Sequence, residues 1–111
     1  MNTPTATLRH LRPGDTVAVI APAGPCKDTD RLAQIEPLFA QHGLHARLYP
    51  SCSATHPQHD YLSGSDEQRL ADLHAALADE SITAIFALRG GYGCARLVDR
   101  IDTALLRTHP K

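Results

Sequence analysis

Apolar residues are grouped along the chain in short blocks of two kinds. The run at 16–21 is continuous and rich in β-branched residues, and the run at 82–88 has the same character. Continuous runs of this length are typical of strands that are covered on both faces in a parallel sheet. A weaker run at 44–49 predicts a further strand between these two.

The segment from 65 to 78 predicts the clearest helix. A leucine recurs every three or four residues between 70 and 77, which indicates one apolar helical face. Ser65 and Gln68 have the spacing of a capping box, in which the serine hydroxyl accepts from the first turn of the helix. We therefore interpret Ser65 as a helix cap, although Gly64-Ser65-Asp66 resembles the sequence around some nucleophilic serines.

Helical patterns also occur before and after that segment. A helix is predicted from about 28 to 42, with a kink or a break caused by Pro37, because proline lacks an amide donor and crowds the preceding turn. A third helix is expected to open near Cys94, and a short one covers about 102–107.

The alternation of strand and helix defines the fold class. It predicts an α/β domain with a mostly parallel sheet flanked by helices. Residues 1–10 are polar and irregular, so we expect a loose lead-in there and the domain itself over 11–111.

Composition and charge narrow the partners and the compartment. The formal net charge is −1 and the 11 basic residues are scattered, which gives no basis for binding nucleic acid or an anionic membrane. There is no apolar run of membrane-spanning length and no signal-peptide pattern at the start of the chain. The three cysteines (Cys26, Cys52 and Cys94) are far apart and odd in number, which favours a reducing compartment, and we expect the cytoplasm.

The strongest candidate for chemistry is the Arg-Gly-Gly-Tyr-Gly turn at 89–93. It follows a strand, and ligand sites in α/β sheets lie beyond the carboxyl ends of strands, where the 21–25 segment also lies. Glycine-rich backbone there exposes amides that bind an anion or a developing oxyanion. Two interpretations remain open at this point, an amide-lined site and a tight turn that simply needs glycine. A dinucleotide loop is disfavoured, because Arg96 stands where its third glycine belongs.

Two weaker candidates compete with ordinary structural roles. Cys94 at a helix start would suit a thiolate nucleophile, but a packed thiol is the more common case and no histidine can be paired with it from sequence. His56 and His59 have a spacing suited to metal ligands, but they lie in a proline-containing loop without a nearby cysteine or carboxylate pair. We expect no metal site.

Several short motifs, taken together and in order, resemble the N-terminal domain of the serine LD-carboxypeptidases. This family includes muramoyltetrapeptide carboxypeptidase and the microcin-immunity peptidases. The match extends over about 11–107, and its blocks are Pro13-Gly14-Asp15, Ile20-Ala21-Pro22-Ala23-Gly24-Pro25, Tyr61-Leu62-Ser63-Gly64 with Asp66, Arg69, Asp72 and Leu73, and Arg89-Gly90-Gly91-Tyr92-Gly93 with Arg96, Leu97, Ile101 and Asp102.

The resemblance implies a fold similar to class I glutamine amidotransferase domains. It implies a cytoplasmic hydrolase of peptidoglycan recycling that releases terminal D-alanine from murein tetrapeptide with a Ser-His-Glu triad, without metal or other cofactor, and usually as a homodimer. It assigns the oxyanion-hole amide to Gly91, with Gly90 as second choice, and substrate contacts to Arg89, Gly90, Tyr92 and Gly93. For Arg89, a structural role in a salt bridge is the equal alternative.

The chain departs from the family in one respect. The family nucleophile lies on the strand that follows the glycine turn, and its glutamate and histidine lie in a C-terminal domain; none of these positions occurs in the 111 residues. We therefore expect the N-terminal part alone, inactive without its C-terminal domain. Murein and microcin-like substrates both remain open, and the alternative function is an anion-binding α/β module without catalysis.

Overall fold

Three parallel strands form the centre of the structure, a computed structural model that describes residues 8–59 and 61–111. Strand β1 (Thr16–Ile20) lies in the middle, β2 (His45–Leu48) on one side and β3 (Ile82–Ala87) on the other. Both pairings are parallel. The parallel α/β fold predicted from the sequence is confirmed, and within the described residues β2 and β3 form the two edges of the sheet.

Strand β1 is buried on both faces, as its continuous apolar sequence predicts. Ala18 and Ile20 lie on one face, where they join a cluster with the helix that precedes β3. Val19 and Ala21 lie on the other face, against the helices that follow β1. The molecule therefore has three layers, with the sheet between two layers of helix.

The predicted 28–42 helix is two helices, α1 (Thr29–Ala33) and α2 (Ile35–Gln41). The break is a consequence of Pro37, which has no amide to donate to Ala33 four residues earlier and whose ring crowds that carbonyl. Asp28 caps α1 by accepting from the amides of Asp30 and Arg31.

Helix α3 (Asp66–Ala78) begins where the capping box predicts, and Ser65 Oγ accepts from the Gln68 amide at 3.1 Å. The side of α3 that carries Leu70, Leu73 and Leu77 is not its most buried side, because Leu70 and Leu73 are only half-buried. The buried residues of α3 are Arg69, Asp72, Ala76 and Leu77.

The third helix expected near Cys94 does not form as an α-helix. Two short 3-10 helices, Tyr92–Arg96 and Val98–Arg100, occupy the segment instead. The Gly93 carbonyl, which an α-helix would offer to the amide of Leu97, accepts from Arg69 Nη1 at 2.8 Å. The Leu97 amide therefore bonds to Cys94 O, three residues back, at 3.0 Å.

The last helix, α4 (Thr103–Thr108), packs on α3. Asp102 Oδ1 accepts from the Leu105 amide at its start, and the Asp102 amide donates to His74 Nε2 on α3. The chain that follows β3 thus runs over the α3 face, whereas the chain that follows β1 runs over the opposite face. The two loops diverge at the carboxyl ends of β1 and β3, which is where ligand sites form in open α/β sheets.

The N-terminal lead-in is only partly within the described residues. Residues 8–10 form neither helix nor strand, and Arg9 donates a hydrogen bond to Thr83 and lies 3.7 Å from an oxygen of Asp15. The remainder of the predicted 1–10 segment lies outside the described residues. Across 8–59 and 61–111, no helix has the length and apolar character needed to cross a membrane.

Candidate functional site

A cleft of about 920 Å³ opens between the loops that follow β1 and β3. One wall is the 23–28 loop after β1, and the other is the 88–92 segment after β3. Tyr61, Arg31 and Ile35 complete the lining. The cleft lies at the divergence of the two loops, so the sheet itself positions both walls.

The glycine turn presents free backbone to this cleft. Among the described residues, the amides of Gly90 and Gly91 have no hydrogen-bond partner, and both glycines line the cleft. Gly91 has a φ of 151°, a conformation that side-chain-bearing residues rarely adopt. Tyr92 also lines the cleft, with 91% of its surface exposed.

Gly93 is separated from the other residues of the turn. It is buried behind the cleft wall and does not line the cleft. A Cβ atom there would lie 2.7 Å from Leu62 Cδ2 and 2.8 Å from both Ala23 Cα and Arg69 Nη1. The structure therefore gives Gly93 a close packing contact between the loops, while Arg89, Gly90, Gly91 and Tyr92 lie together at the cleft.

The loop after β1 is held by buried polar groups. Ser51 Oγ accepts from the Ala21 amide at 2.9 Å, and the Ser51 amide donates to Asp72 Oδ2 at 2.6 Å. The Ala23 carbonyl accepts from the Ser63 amide at 2.8 Å. Side chains from α3 and from the 3-10 helix Pro50–Ser53 therefore fix this wall from behind.

Arg69 joins the two walls. Its Nη1 donates to Pro22 O and to Gly93 O, each at 2.8 Å, and its Nη2 pairs with Asp66. The side chain has no solvent exposure, and burial lowers the pKa of the guanidinium. Arg69 was not among the site residues predicted from the sequence, and the available signal was its i, i+3 spacing from the carboxylate of Asp66 on the same helix.

The cleft carries more positive than negative side chains. Lys27, Arg31 and Arg89 line it together with Asp28. Arg31 Nε lies 3.6 Å from Asp28 Oδ2, and Arg89 Nη1 donates to Pro25 O at 3.4 Å. Of these residues, only Arg89 was a candidate from the sequence. Lys27, Asp28 and Arg31 were missed, because the 27–31 segment comes near the turn only through the order of the strands in the sheet.

The three cysteines are free thiols in different surroundings. Cys94 is half-buried in the first 3-10 helix, and its amide donates to Gly91 O at 3.2 Å. Cys26 is half-buried at the cleft, and Cys52 is buried under the β1 loop. Burial raises the pKa of the Cys52 thiol to about 11, so it is not a thiolate at neutral pH.

The two loop histidines contact each other. Their ring centroids are 4.9 Å apart, and His56 Nδ1 accepts from the amides of Gln58 and His59. These two hydrogen bonds hold the loop in a turn at His56. Within the described part of the chain, no group of three or more histidine, cysteine or acidic side chains has the geometry to hold a metal ion.

The sequence of the chain is similar to a known protein family and to several of its members. The profile described as the LD-carboxypeptidase N-terminal domain matches residues 17–111. A probable murein peptide carboxypeptidase of Bacillus subtilis is 42% identical over 103 residues, covering 93% of this chain and 31% of that protein. The murein tetrapeptide carboxypeptidase of Pseudomonas aeruginosa is 41% identical over 91 residues, covering 82% of this chain and 28% of that protein.

A solved structure of a muramoyltetrapeptide carboxypeptidase is also similar to this chain. The crystal structure of muramoyltetrapeptide carboxypeptidase from Oxalobacter formigenes matches with a TM-score of 0.67 and 28% identity, covering 82% of this chain and 29% of that one. The chain thus spans about a third of the length of the curated relatives, 31% and 28% for the two named above.

Proposed function

The chain belongs to the LD-carboxypeptidase family, which its match over residues 17–111 shows, and from this premise we propose that it is the N-terminal domain of a serine-type murein peptidase. The proposed reaction hydrolyses an L,D peptide bond and releases terminal D-alanine from murein tetrapeptide. Residues 11–111 are the proposed domain and 1–10 its lead-in. A cytoplasmic location and a homodimeric assembly, both usual in the family, are part of the proposal.

The unpaired amide of Gly91 carries the proposal. Peptide hydrolysis by a nucleophile passes through a tetrahedral species whose carbonyl oxygen becomes negative, and fixed N–H donors stabilise that charge. Gly91 lines the cleft with no partner for its amide in the described structure, and the neighbouring Gly90 amide is equally free. One such donor contributes about 10²–10³ to kcat in well-studied peptidases.

Arg89 supports a carboxypeptidase function, because its guanidinium suits the terminal carboxylate of a peptide substrate. A carboxypeptidase recognises a free terminal carboxylate, and a guanidinium binds carboxylates through paired N–H groups. Among the described residues, Arg89 makes one hydrogen bond, at 3.4 Å to Pro25 O, although a guanidinium has five N–H donors. Its remaining donors suit a carboxylate at the cleft, and Tyr92 provides an adjacent wall.

The attacking serine, its histidine and the glutamate are assigned to the part of the relatives beyond the matched region. An oxyanion hole without a nucleophile and a base has no acyl transfer to accelerate. We therefore expect the 111-residue chain alone to release no D-alanine. The reaction as proposed uses no metal or other cofactor.

The test compares two chains. One is the 111-residue chain, and the other extends it with the C-terminal portion of a relative such as the Bacillus subtilis protein. Release of D-alanine from murein tetrapeptide is expected only from the extended chain. Gly91→Ala in the extended chain is expected to lower kcat by about 10²-fold, because its φ of 151° is strained for alanine and the amide moves.

Gly14→Ala is the matched control for backbone strain. Gly14 has a φ of 93°, so alanine is strained there too, but this glycine precedes β1 at the end of the sheet opposite the cleft. We expect its kcat to stay close to the parent value. Turnover by the 111-residue chain, or equal losses in both variants, would contradict the proposal.

A second candidate function is an anion-binding module without catalysis. It is favoured by the same free amides and by the excess of cationic side chains at the cleft, which suit a phosphate as well as a carboxylate. Titration of both chains with nucleotides and with muropeptides separates the two functions. Tight nucleotide binding without D-alanine release would favour the module.

A further inference from the structure

Arg69 is a charged side chain in a position where a charge is costly. It lies at the amino end of α3 with no solvent exposure. Burying a guanidinium is costly unless its donors meet acceptors, and within the described residues both Nη atoms of Arg69 are paired whereas its buried Nε has no partner. Apolar residues often replace such groups without loss of stability. Helix packing alone therefore does not account for an arginine here.

Two acceptors of Arg69 lie next to the cleft walls, one residue before the 23–28 wall and one residue after the 88–92 wall. Pro22 O belongs to the loop after β1, and Gly93 O belongs to the turn after β3; each is 2.8 Å from Nη1. Arg89 also joins the two walls, through Pro25 O, but at 3.4 Å and in a partly exposed position. The buried link through Arg69 is the shorter and the better shielded of the two.

The link lies close to Gly91, whose amide the proposed function assigns to the oxyanion hole. Gly93 is two residues from Gly91, and both glycines approach Ala23 of the opposite loop. A Cβ atom would lie 3.4 Å from Ala23 Cβ at Gly91 and 2.8 Å from Ala23 Cα at Gly93. A shift of the Gly93 carbonyl would therefore move the Gly91 amide relative to the opposite wall.

We propose that Arg69 is a positioning residue for the cleft, which fixes the Gly91 amide by binding the Pro22 and Gly93 carbonyls together. Its effect on loop geometry is independent of the reaction, and only its effect on turnover rests on the proposed function. Arg69 does not contact the substrate in this scheme, since it is buried behind the walls.

The surrounding charges provide a matched control. Asp66 pairs with Arg69 and also accepts from Arg96 Nε at 3.0 and 3.1 Å. Arg69→Met therefore leaves Asp66 with an ionic partner, so the variant creates no unpaired buried charge. Arg96→Met removes the other guanidinium from the same carboxylate and touches neither loop carbonyl.

Amide hydrogen exchange of the 111-residue chain, followed by NMR, tests the geometry. The Cys94 amide, bonded to Gly91 O, reports on the turn, and the Leu88 amide, bonded to Ile20 O, reports on the sheet. Arg69→Met is expected to speed the exchange of the Cys94 amide about 30-fold, because two buried carbonyls lose their donor. The exchange of the Leu88 amide is expected to speed up by less than about threefold. Arg96→Met is expected to change neither by more than about threefold.

Two results would overturn the proposal. One is exchange of Cys94 in Arg69→Met at the parent rate, and the other is equal acceleration of Cys94 and Leu88, which would mean a general loss of stability. If Arg69→Met does not fold, Arg69→Lys serves the same comparison with the same criteria. Lysine keeps the charge beside Asp66 but lacks the planar fork that reaches both carbonyls and the carboxylate.

Turnover by the extended chain gives the second readout. Arg69→Lys is expected to lower kcat for D-alanine release by about 10- to 100-fold with KM within about twofold, because an oxyanion donor acts in the transition state. An unchanged kcat, or a change confined to KM, would refute the positioning role. Failure of the parent extended chain to release D-alanine would refute the proposed function instead, and the exchange experiment would still decide the role of Arg69.

Discussion

The three glycines of the turn differ in what an added methyl group would meet. At Gly93 the new Cβ would lie 2.7 Å from Leu62 Cδ2 and 2.8 Å from Ala23 Cα. At Gly91 it would lie 3.4 Å from Ala23 Cβ, with a φ of 151°. At Gly90 it would meet nothing within 4 Å. Alanine substitution is therefore predicted to have three different effects within four residues of chain.

The magnitudes follow from these contacts. The clash at Gly93 involves backbone, so no rotamer change relieves it, and overpacking of this kind costs about 1–3 kcal/mol. The same Cβ lies 2.8 Å from Arg69 Nη1, and displacing that donor from buried carbonyls adds about 1–3 kcal/mol. Gly91→Ala is expected to cost about 1–3 kcal/mol from strain alone. Gly90→Ala is expected to be neutral or to stabilise by about 0.5 kcal/mol, because alanine restricts the unfolded chain.

Urea unfolding of the 111-residue chain measures these differences. The chain has no tryptophan, so far-UV circular dichroism is the suitable signal. With a slope of about 2 kcal/mol per molar urea, a loss of about 3 kcal/mol lowers the midpoint by about 1.5 M. We expect the midpoints to fall in the order Gly90→Ala, Gly91→Ala, Gly93→Ala. A midpoint for Gly93→Ala within about 0.3 M of the parent would show that the loops are not in this close contact.

Two further predictions concern single side chains. Ser65→Ala removes the hydroxyl that accepts from the Gln68 amide and is expected to lower the free energy of unfolding by about 1 kcal/mol in the same urea assay. Ser65→Asp is expected to restore most of that loss. An unchanged midpoint for Ser65→Ala would contradict the cap. Because burial raises the pKa of Cys52 to about 11, iodoacetamide at pH 8 is expected to alkylate Cys26 and Cys94 but to reach Cys52 only in denaturant. Mass spectrometry of the peptides measures this, and equal labelling of all three thiols in the folded chain would refute it.

The strands and the caps were predictable because their causes are local. The β-branched run of β1 and the Ser65 cap each depend on a few consecutive residues, and both were found where the sequence predicted them. The break between α1 and α2 has a local cause as well, since Pro37 affects the residue four positions before it.

The errors arose where distant partners decide the structure. The segment after the glycine turn forms 3-10 helices because Arg69, 24 positions earlier in the sequence, occupies the Gly93 carbonyl. The buried side of α3 includes the acidic side chain of Asp72 because its partner is the amide of Ser51, 21 positions away. Helical periodicity contains no information about such partners.

The candidate site was predictable in part for the same reason. The location of the glycine turn, beyond the carboxyl end of a strand, follows from its place in the sequence directly after a strand pattern. The structure places Arg89 to Tyr92 together at the cleft. The contributions of Lys27 and Arg31 depend on the neighbouring positions of β1 and β3 in the sheet. Only the assembled topology brings those side chains near the turn.

The outer edge of β3 fixes the distances at which other groups can act on the cleft. Within the described residues β3 pairs with β1 alone, so its second side is open to one more strand. Neighbouring strands lie about 4.8 Å apart, so the carboxyl end of a strand docked there falls about 5 Å from the start of the glycine turn. Strand spacing thus sets how close to the glycine turn any strand that pairs with this edge of β3 would lie.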